Sequence, residues 1–213
     1  MITLVLGGAR SGKSALAERL VLAHRGPVTY LATGSAGEDP DMARRIARHR
    51  EGRDPRFATI ESADLATALL EAPARPLLVD ALGTWVAAGP EFSEPPTPTA
   101  AGQVPIDRAT DRATDRATDR ATDPVDWSPW WTQQLDAVCA ALDARADRGA
   151  PTVLVSDEVG LGVHPESAVG RRFRDVLGLV NQRVAAVADD VLLVVAGRVL
   201  RLDHADTLFE DRP

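Results

Sequence analysis

Cysteine occurs once in the 213 residues, at Cys139. No internal disulfide can form and a cysteine-rich zinc site is excluded. A lone thiol suits a reducing cytoplasm, where the protein is expected to reside. Histidine is also sparse: His24, His49, His164 and His204 are the four, and no two stand at metal-ligand spacing. A zinc or other transition-metal site is therefore not expected. No run of about 18 apolar residues exists, so no membrane span is expected. The opening "MITLVLGGARSGKS" lacks a basic start and has too short an apolar run for a secretory signal. Excess positive charge is missing as well. The net charge is −7, so no global field favours nucleic acid as a partner.

What is present is ordinary globular material. Apolar residues make up 45% of the chain, and the length suffices for one domain with a sizeable core. Short apolar runs read as strands: "ITLVL" (2–6), "VTYLA" (28–32), "FATIE" (57–61), "LLVD" (77–80), "TVLVS" (152–156) and "VLLVV" (191–195). Several are apolar throughout, as strands buried on both faces are. Residues 13–25, 40–50, 63–71, 130–147 and 167–187 read as helices. The first is expected to stop at the basic turn His24-Arg25 followed by Gly26. The last carries Phe173, Val176, Leu177, Val180 and Val184 at helical spacing, a core-facing stripe. The alternation predicts an α/β fold with a mainly parallel sheet and helices on both faces. "VLLVVAGRVLRL" predicts a terminal antiparallel hairpin turning at Gly197.

Residues 89–129 break the pattern. They hold seven prolines and four copies of Asp-Arg-Ala-Thr, from Asp107 to Thr122. A period of four drifts around a helix, and each charge-balanced copy has one alanine to bury. Such a segment does not offset the entropy of ordering. We expect a single domain over residues 1–213 with a disordered insertion there, in a tolerated surface loop.

"GGARSGKS" (Gly7, Gly8, Ala9, Arg10, Ser11, Gly12, Lys13 and Ser14) matches G-x-x-x-x-G-K-[ST] between a strand and a helix. The glycines let successive N–H groups point at phosphate oxygens, and the helix adds its positive end. Lys13 is expected on the β/γ-phosphates and the Ser14 hydroxyl on Mg²⁺. The metal needs a further carboxylate. Asp80 ends "PLLVD", where a Walker B aspartate would sit; the other reading is a helix cap. Asp157 and Glu158 end "TVLVSDE", either at the ligand crevice of the sheet or in a surface turn.

"ARRIARHREGR" (43–53) places His49 among Arg44, Arg45, Arg48, Arg50 and Arg53. Neighbouring cations disfavour imidazolium, and a neutral imidazole is a nucleophile. The alternative is an exposed basic helix. Three functions share these features. A GTPase switch finds "DALG" (80–83) for its D-x-x-G, but no N-K-x-D guanine-reading motif appears. A plain P-loop kinase for a small metabolite leaves His49 without a role. The third is a P-loop enzyme with a histidine nucleophile.

The chain resembles the bifunctional adenosylcobinamide kinase/adenosylcobinamide-phosphate guanylyltransferase family of cobalamin biosynthesis. The resemblance rests on "LVLGGARSGKS" (4–14), "YLATG" (30–34), "MARRIARHREGR" (42–53), "TIE" (59–61) and "LLVD" (77–80). "VSDEVGLGVHP" (155–165) and "RRFRDVLGLVNQRVAAVADDVLLVVAG" (171–197) follow. It spans the chain except about 89–129. Asp157 stands where the family usually has asparagine, Phe57 where it has tryptophan, and the repeat segment is extra. The resemblance implies a recombinase-type P-loop fold, usually trimeric. It implies phosphorylation of adenosylcobinamide by ATP or GTP, then GMP transfer from GTP through a histidine to adenosylcobinamide phosphate. It places nucleotide contacts on Gly7–Ser14, Thr33, Gly34, Arg50, Glu51, Gly52, Arg53, Glu61 and Asp80, Mg²⁺ on Ser14 and Asp80, and the guanylylated histidine at His49.

Overall fold

Each expected apolar run forms a strand. The computed structural model describes residues 1–34, 53–93 and 128–207. In chain order it contains β1 (Ile2–Gly7), α1 (Lys13–Leu22), β2 (Val28–Ala32), β3 (Phe57–Glu61), α2 (Leu65–Glu71) and β4 (Leu77–Asp80). Then come α3 (Leu82–Ala87), the single turn α4 (Pro90–Ser93), α5 (Pro129–Asp147), β5 (Thr152–Asp157), α6 (Ala168–Val187), β6 (Asp190–Val195) and β7 (Arg198–Leu202). The strands make one seven-stranded sheet ordered β3-β2-β4-β5-β1-β6-β7. All pairs are parallel except β6 with β7. The α/β architecture with its terminal antiparallel hairpin is as the alternation of elements predicts. The hairpin turns through Ala196 and Gly197, both at positive φ (50° and 74°), the combination that matches the right-handed twist of paired strands.

Alternation along the buried strands splits the core in two. Leu4, Leu6, Leu77, Val79 and Leu154 face one side, where Leu69 of α2, Leu82 of α3, Trp131 and Leu135 of α5 and Val176 and Val180 of α6 pack on them. Val5, Leu78, Val153 and Val155 face the other, where Ala17 and Val21 of α1 cover them. Helices thus lie on both faces. The parallel strands all point their carboxyl ends to one edge, and β1 is the switch point, with β5 on one side and β6 on the other.

Three boundaries differ from expectation. α1 ends at Leu22 rather than at residue 25. Its terminal carbonyls are met from outside, because Arg56 Nη1 donates to Leu22 O and His24 O at 3.2 Å each. α3 was not expected. It is held at its start by Thr84, whose hydroxyl donates to Ala81 O at 2.7 Å. The segment expected to be irregular from residue 89 begins with a helical turn at Pro90–Ser93 and meets α5 at Pro129. Phe92 and Trp131 lie with ring centroids 6.5 Å apart, and Trp130 meets Trp131 edge-on at 4.6 Å. The repeat itself and the helix expected at 40–50 lie outside the described residues.

Arg145 is 0% exposed. Its guanidinium donates to the carbonyls of Leu69 (3.3 Å), Ala72 (3.1 Å) and Arg75 (3.0 Å) and to Thr152 Oγ1 (3.1 Å). A buried cation on the carbonyl end of α2 is favoured by the helix dipole. It ties α5, α2 and β5 together beneath the sheet.

Candidate active site

The loop after β1 is shaped by close backbone approaches. A Cβ on Gly7 would lie 2.5 Å from Ser11 Oγ and 2.7 Å from Val194 O. Arg10 and Gly12 take positive φ (56° and 97°), which curls the chain back so that Ser11 N bonds to Gly8 O at 3.3 Å. The turn of the terminal hairpin closes the loop from the other side, with Gly197 N donating to Ser11 O at 2.9 Å. α1 then starts at Lys13, whose N–H donates to Ser11 Oγ at 3.3 Å, and its N-cap Gly12 has no side chain to cap the N–H groups that follow. Its first N–H groups and positive end stand at the loop, the arrangement that binds phosphate. Gly8 has open space where a side chain would be.

Lys13 Nζ lies 2.7 Å from Asp157 Oδ1. Asp157 ends β5 in register with Gly7, so the two strands deliver the lysine and the carboxylate side by side. Sequence reasoning left Asp157 between crevice and surface turn; the structure puts it at the phosphate loop. Its carboxyl position at the end of an apolar strand beside β1 is the signal that favours this reading.

Asp80 ends β4, beyond β5 from the loop. The Tyr30 hydroxyl donates to its Oδ2 at 2.6 Å. Burial, and then the adjacent Asp80 carboxylate, push the Tyr30 phenol far above its ordinary value, so it remains a donor throughout the physiological range. The guanidinium of Arg53 sits over the Tyr30 ring, 3.4 Å from its centroid, a cation–π contact. Arg53 Nη1 donates to Thr59 Oγ1 at 3.3 Å, while its buried Nε has no hydrogen-bond partner among the described residues. Nothing in the sequence signals Tyr30, since a tyrosine inside an apolar strand reads as core.

Thr33 follows β2 and donates to Ala81 O at 2.6 Å, with Thr84 Oγ1 at 2.8 Å. Gly34 packs against Thr84, whose Cβ would be 3.1 Å from any added side chain. Glu61 ends β3 beside Ala32, which in turn pairs with Asp80. The structure therefore sets Gly7–Ser14, Thr33, Gly34, Glu61 and Asp80 along one edge, with Arg53 reaching it over Tyr30. His49, Arg50, Glu51 and Gly52 lie outside the described residues.

The three arginines opening α6 are engaged within the protein. Arg172 Nε bonds to Glu91 Oε2 at 2.9 Å, Arg171 Nη1 to Glu166 O at 2.7 Å, and Arg174 Nη1 to His164 Nδ1 at 2.6 Å. Among the described residues no His/Cys/Asp/Glu group of three or more is arranged to hold a metal. The oxygen donors of Ser14 and Asp80 are of the hard type that suits Mg²⁺ shared with phosphate, rather than a dedicated protein cage. No helix among them is long and apolar enough to cross a membrane.

A glycine-shaped loop on a helix N-terminus, with a lysine in it and carboxylates on the neighbouring strand ends, defines a P-loop nucleotide-binding α/β protein. The chain belongs to the cobinamide kinase/cobinamide phosphate guanyltransferase (CobU) family, whose model matches residues 3–202. It is 36% identical over 202 residues to the bifunctional adenosylcobalamin biosynthesis protein CobU of Escherichia coli strain K12, covering 92% of this chain and 97% of that protein. It is 37% identical over 205 residues to the protein of the same description from Salmonella typhimurium, with the same coverage. Among solved structures, that of the RadB recombinase is similar at 16% identity and a TM-score of 0.42, covering 90% of this chain and 73% of that one.

Proposed function

We propose that this chain performs two successive reactions at one nucleotide site. It is a bifunctional adenosylcobinamide kinase and adenosylcobinamide-phosphate guanylyltransferase of cobalamin biosynthesis. In the first reaction the aminopropanol hydroxyl of adenosylcobinamide attacks the γ-phosphorus of ATP or GTP. The new O–P bond replaces the bond to the β-phosphate oxygen, and the nucleoside diphosphate leaves. In the second, the His49 imidazole attacks the α-phosphorus of GTP and pyrophosphate leaves. The phosphate of adenosylcobinamide phosphate then displaces His49 to give adenosylcobinamide-GDP.

The observation that carries this reading is the loop itself: Gly7 and Gly12 shape it, α1 starts from it, and Lys13 stands in it, where a cation offsets the charge that develops on phosphate. In the proposal Ser14 and Asp80 would hold Mg²⁺, which would supply positive charge to the triphosphate. Thr33, Gly34, Glu61, Arg50, Glu51, Gly52 and Arg53 hold the rest of the nucleotide. Arg50 and Arg53 offset charge at the α-phosphate and keep free His49 neutral near pH 7. The working form in the proposal is a cytoplasmic homotrimer that binds no nucleic acid.

The experiment separates the two halves. Protein is incubated with α-labelled or γ-labelled GTP and then denatured. The α-label is expected to stay bound, acid-labile and alkali-stable as a phosphoramidate is. His49→Asn is expected to abolish it while adenosylcobinamide is still phosphorylated. No α-label in the native protein makes the chain a plain P-loop kinase instead, and a label retained by His49→Asn removes His49 as the nucleophile.

A further inference from the structure

The Lys13 ammonium already has an anion. It lies 2.7 Å from Asp157 Oδ1, with the two side chains 13% and 38% exposed, and 3.4 Å from Gly8 O. The carboxylate is fixed from behind. A Cβ on Gly83 would come within 2.8 Å of Asp157 Oδ2, so α3 bounds that oxygen on one side. The backbone beneath is fixed too: Asn181 Nδ2 donates to Asp157 O at 3.1 Å, and Ser156 Oγ bonds to Asn181 Oδ1 at 2.5 Å. Because Gly7 and Asp157 are register partners, the β1–β5 ladder keeps the Asp157 backbone beside the loop, and only its side-chain torsions move the carboxylate.

A carboxylate oxygen on a P-loop lysine has the charge and hydrogen-bonding character of a phosphate oxygen. An incoming triphosphate must take the lysine from Asp157 or lay its own negative charge beside a carboxylate that stays. Both oppose binding, and both act only on the phosphates that reach Lys13. We propose that Asp157 is a positioning residue that sets triphosphate affinity: it holds Lys13 in the free protein and weakens the grip of the loop on the β- and γ-phosphates. The same competition returns Lys13 to Asp157 when the cleaved phosphates leave, which aids turnover between two reactions that use the loop in succession.

This inference rests on Gly7–Ser14 being the triphosphate loop, and the test keeps the two apart. Dissociation constants of GTP, a non-hydrolysable ATP analogue, GMP and guanosine are measured for the native chain, Asp157→Asn and Lys13→Ala. The amide keeps the shape of the carboxylate and removes its charge. Asp157→Asn is expected to bind GTP and the ATP analogue at least about fivefold more tightly, roughly 1 kcal/mol, with GMP and guanosine unchanged. A purely structural role for Asp157 would not produce a gain confined to triphosphates. Unchanged or weaker triphosphate binding in a folded Asp157→Asn overturns the inference, provided Lys13→Ala still loses affinity. If Lys13→Ala binds triphosphate as well as the native chain, the loop reading itself fails. Should Asp157→Asn melt early, Asp157→Ser removes the same charge and is held to the same outcomes.

Discussion

Tyr30 and Asp80 are joined by a 2.6 Å hydrogen bond at the carboxyl edge of the sheet, phenol to carboxylate. Tyr30 pairs with Leu78 on β4, and Asp80, two residues on, shares that face. The ring therefore reaches forward along the strand to fix the carboxylate proposed to hold Mg²⁺. Tyr30→Phe keeps the ring under Arg53 and removes the bond. Partners that orient a metal-binding carboxylate typically cost ten- to a hundredfold in metal affinity when lost. The Mg²⁺ concentration for half-maximal kinase activity is expected to rise about tenfold, with the melting temperature lower by a few degrees. An unchanged Mg²⁺ requirement would mean that Tyr30 only braces the sheet.

Arg145 makes the strongest stability prediction. Arg145→Met fills similar space but leaves the carbonyls of Leu69, Ala72 and Arg75 without this donor. Each buried acceptor so stranded costs about 1–3 kcal/mol. Urea denaturation is expected to show a loss of roughly 3 kcal/mol or more, and thermal melting a fall of about 6–12 °C. A loss below about 1 kcal/mol would show that water or backbone shifts replace the guanidinium.

Asp64 caps α2, accepting from Thr67 N at 3.0 Å. This bond holds its carboxyl below the ordinary aspartate value. Because the folded value is the lower one, the cap stabilises fully above the unfolded value and is lost as pH falls through the folded one. Asparagine caps equally well and does not titrate. Native protein and Asp64→Asn are therefore expected to match at pH 7, while below about pH 4 the native protein melts earlier. Parallel melting curves from pH 7 to pH 3 would remove Asp64 from the acid response.

Deleting Asp107–Thr122 tests the insertion. The described flanks are joined by the contacts of Phe92 with Trp131 and Phe173 and by Arg172 on Glu91. Melting temperature and both activities are expected to stay within experimental error. A large fall in melting temperature, or a change of oligomeric state, would give the repeat a packing role.

The sheet was legible because strands buried on both faces leave apolar runs with no polar alternation to blur them, as at Leu77–Asp80 and Thr152–Asp157. The phosphate loop was legible because its spacing is fixed by the ligand. What was hidden depends on residues far apart in the chain. Leu82–Ala87 is too short to show a helical period, and its cap is a threonine inside it. Arg145 reads as one more basic residue on a helix until α2 is placed over it. Asp157 could not be told from a turn residue before β5 was seated beside β1, and Tyr30 carries no mark of its hydroxyl's destination. The extra helix Pro90–Ser93 is likewise decided by what it touches, Arg172, Trp131 and Phe173, and not by its own four residues.

The position of β1 has a consequence for synthesis on the ribosome. Among the described residues its sheet partners are β5 and β6, and its loop is closed by Gly197. The first strand to emerge thus waits for some of the last. At about 5–20 residues per second, the nascent chain carries the apolar run Ile2–Gly7 unpaired for roughly eight to thirty seconds before Thr152–Asp157 arrives. The nucleotide site is consequently the last thing this protein acquires, and a chain truncated anywhere before the terminal hairpin has the full signature motif but no completed loop.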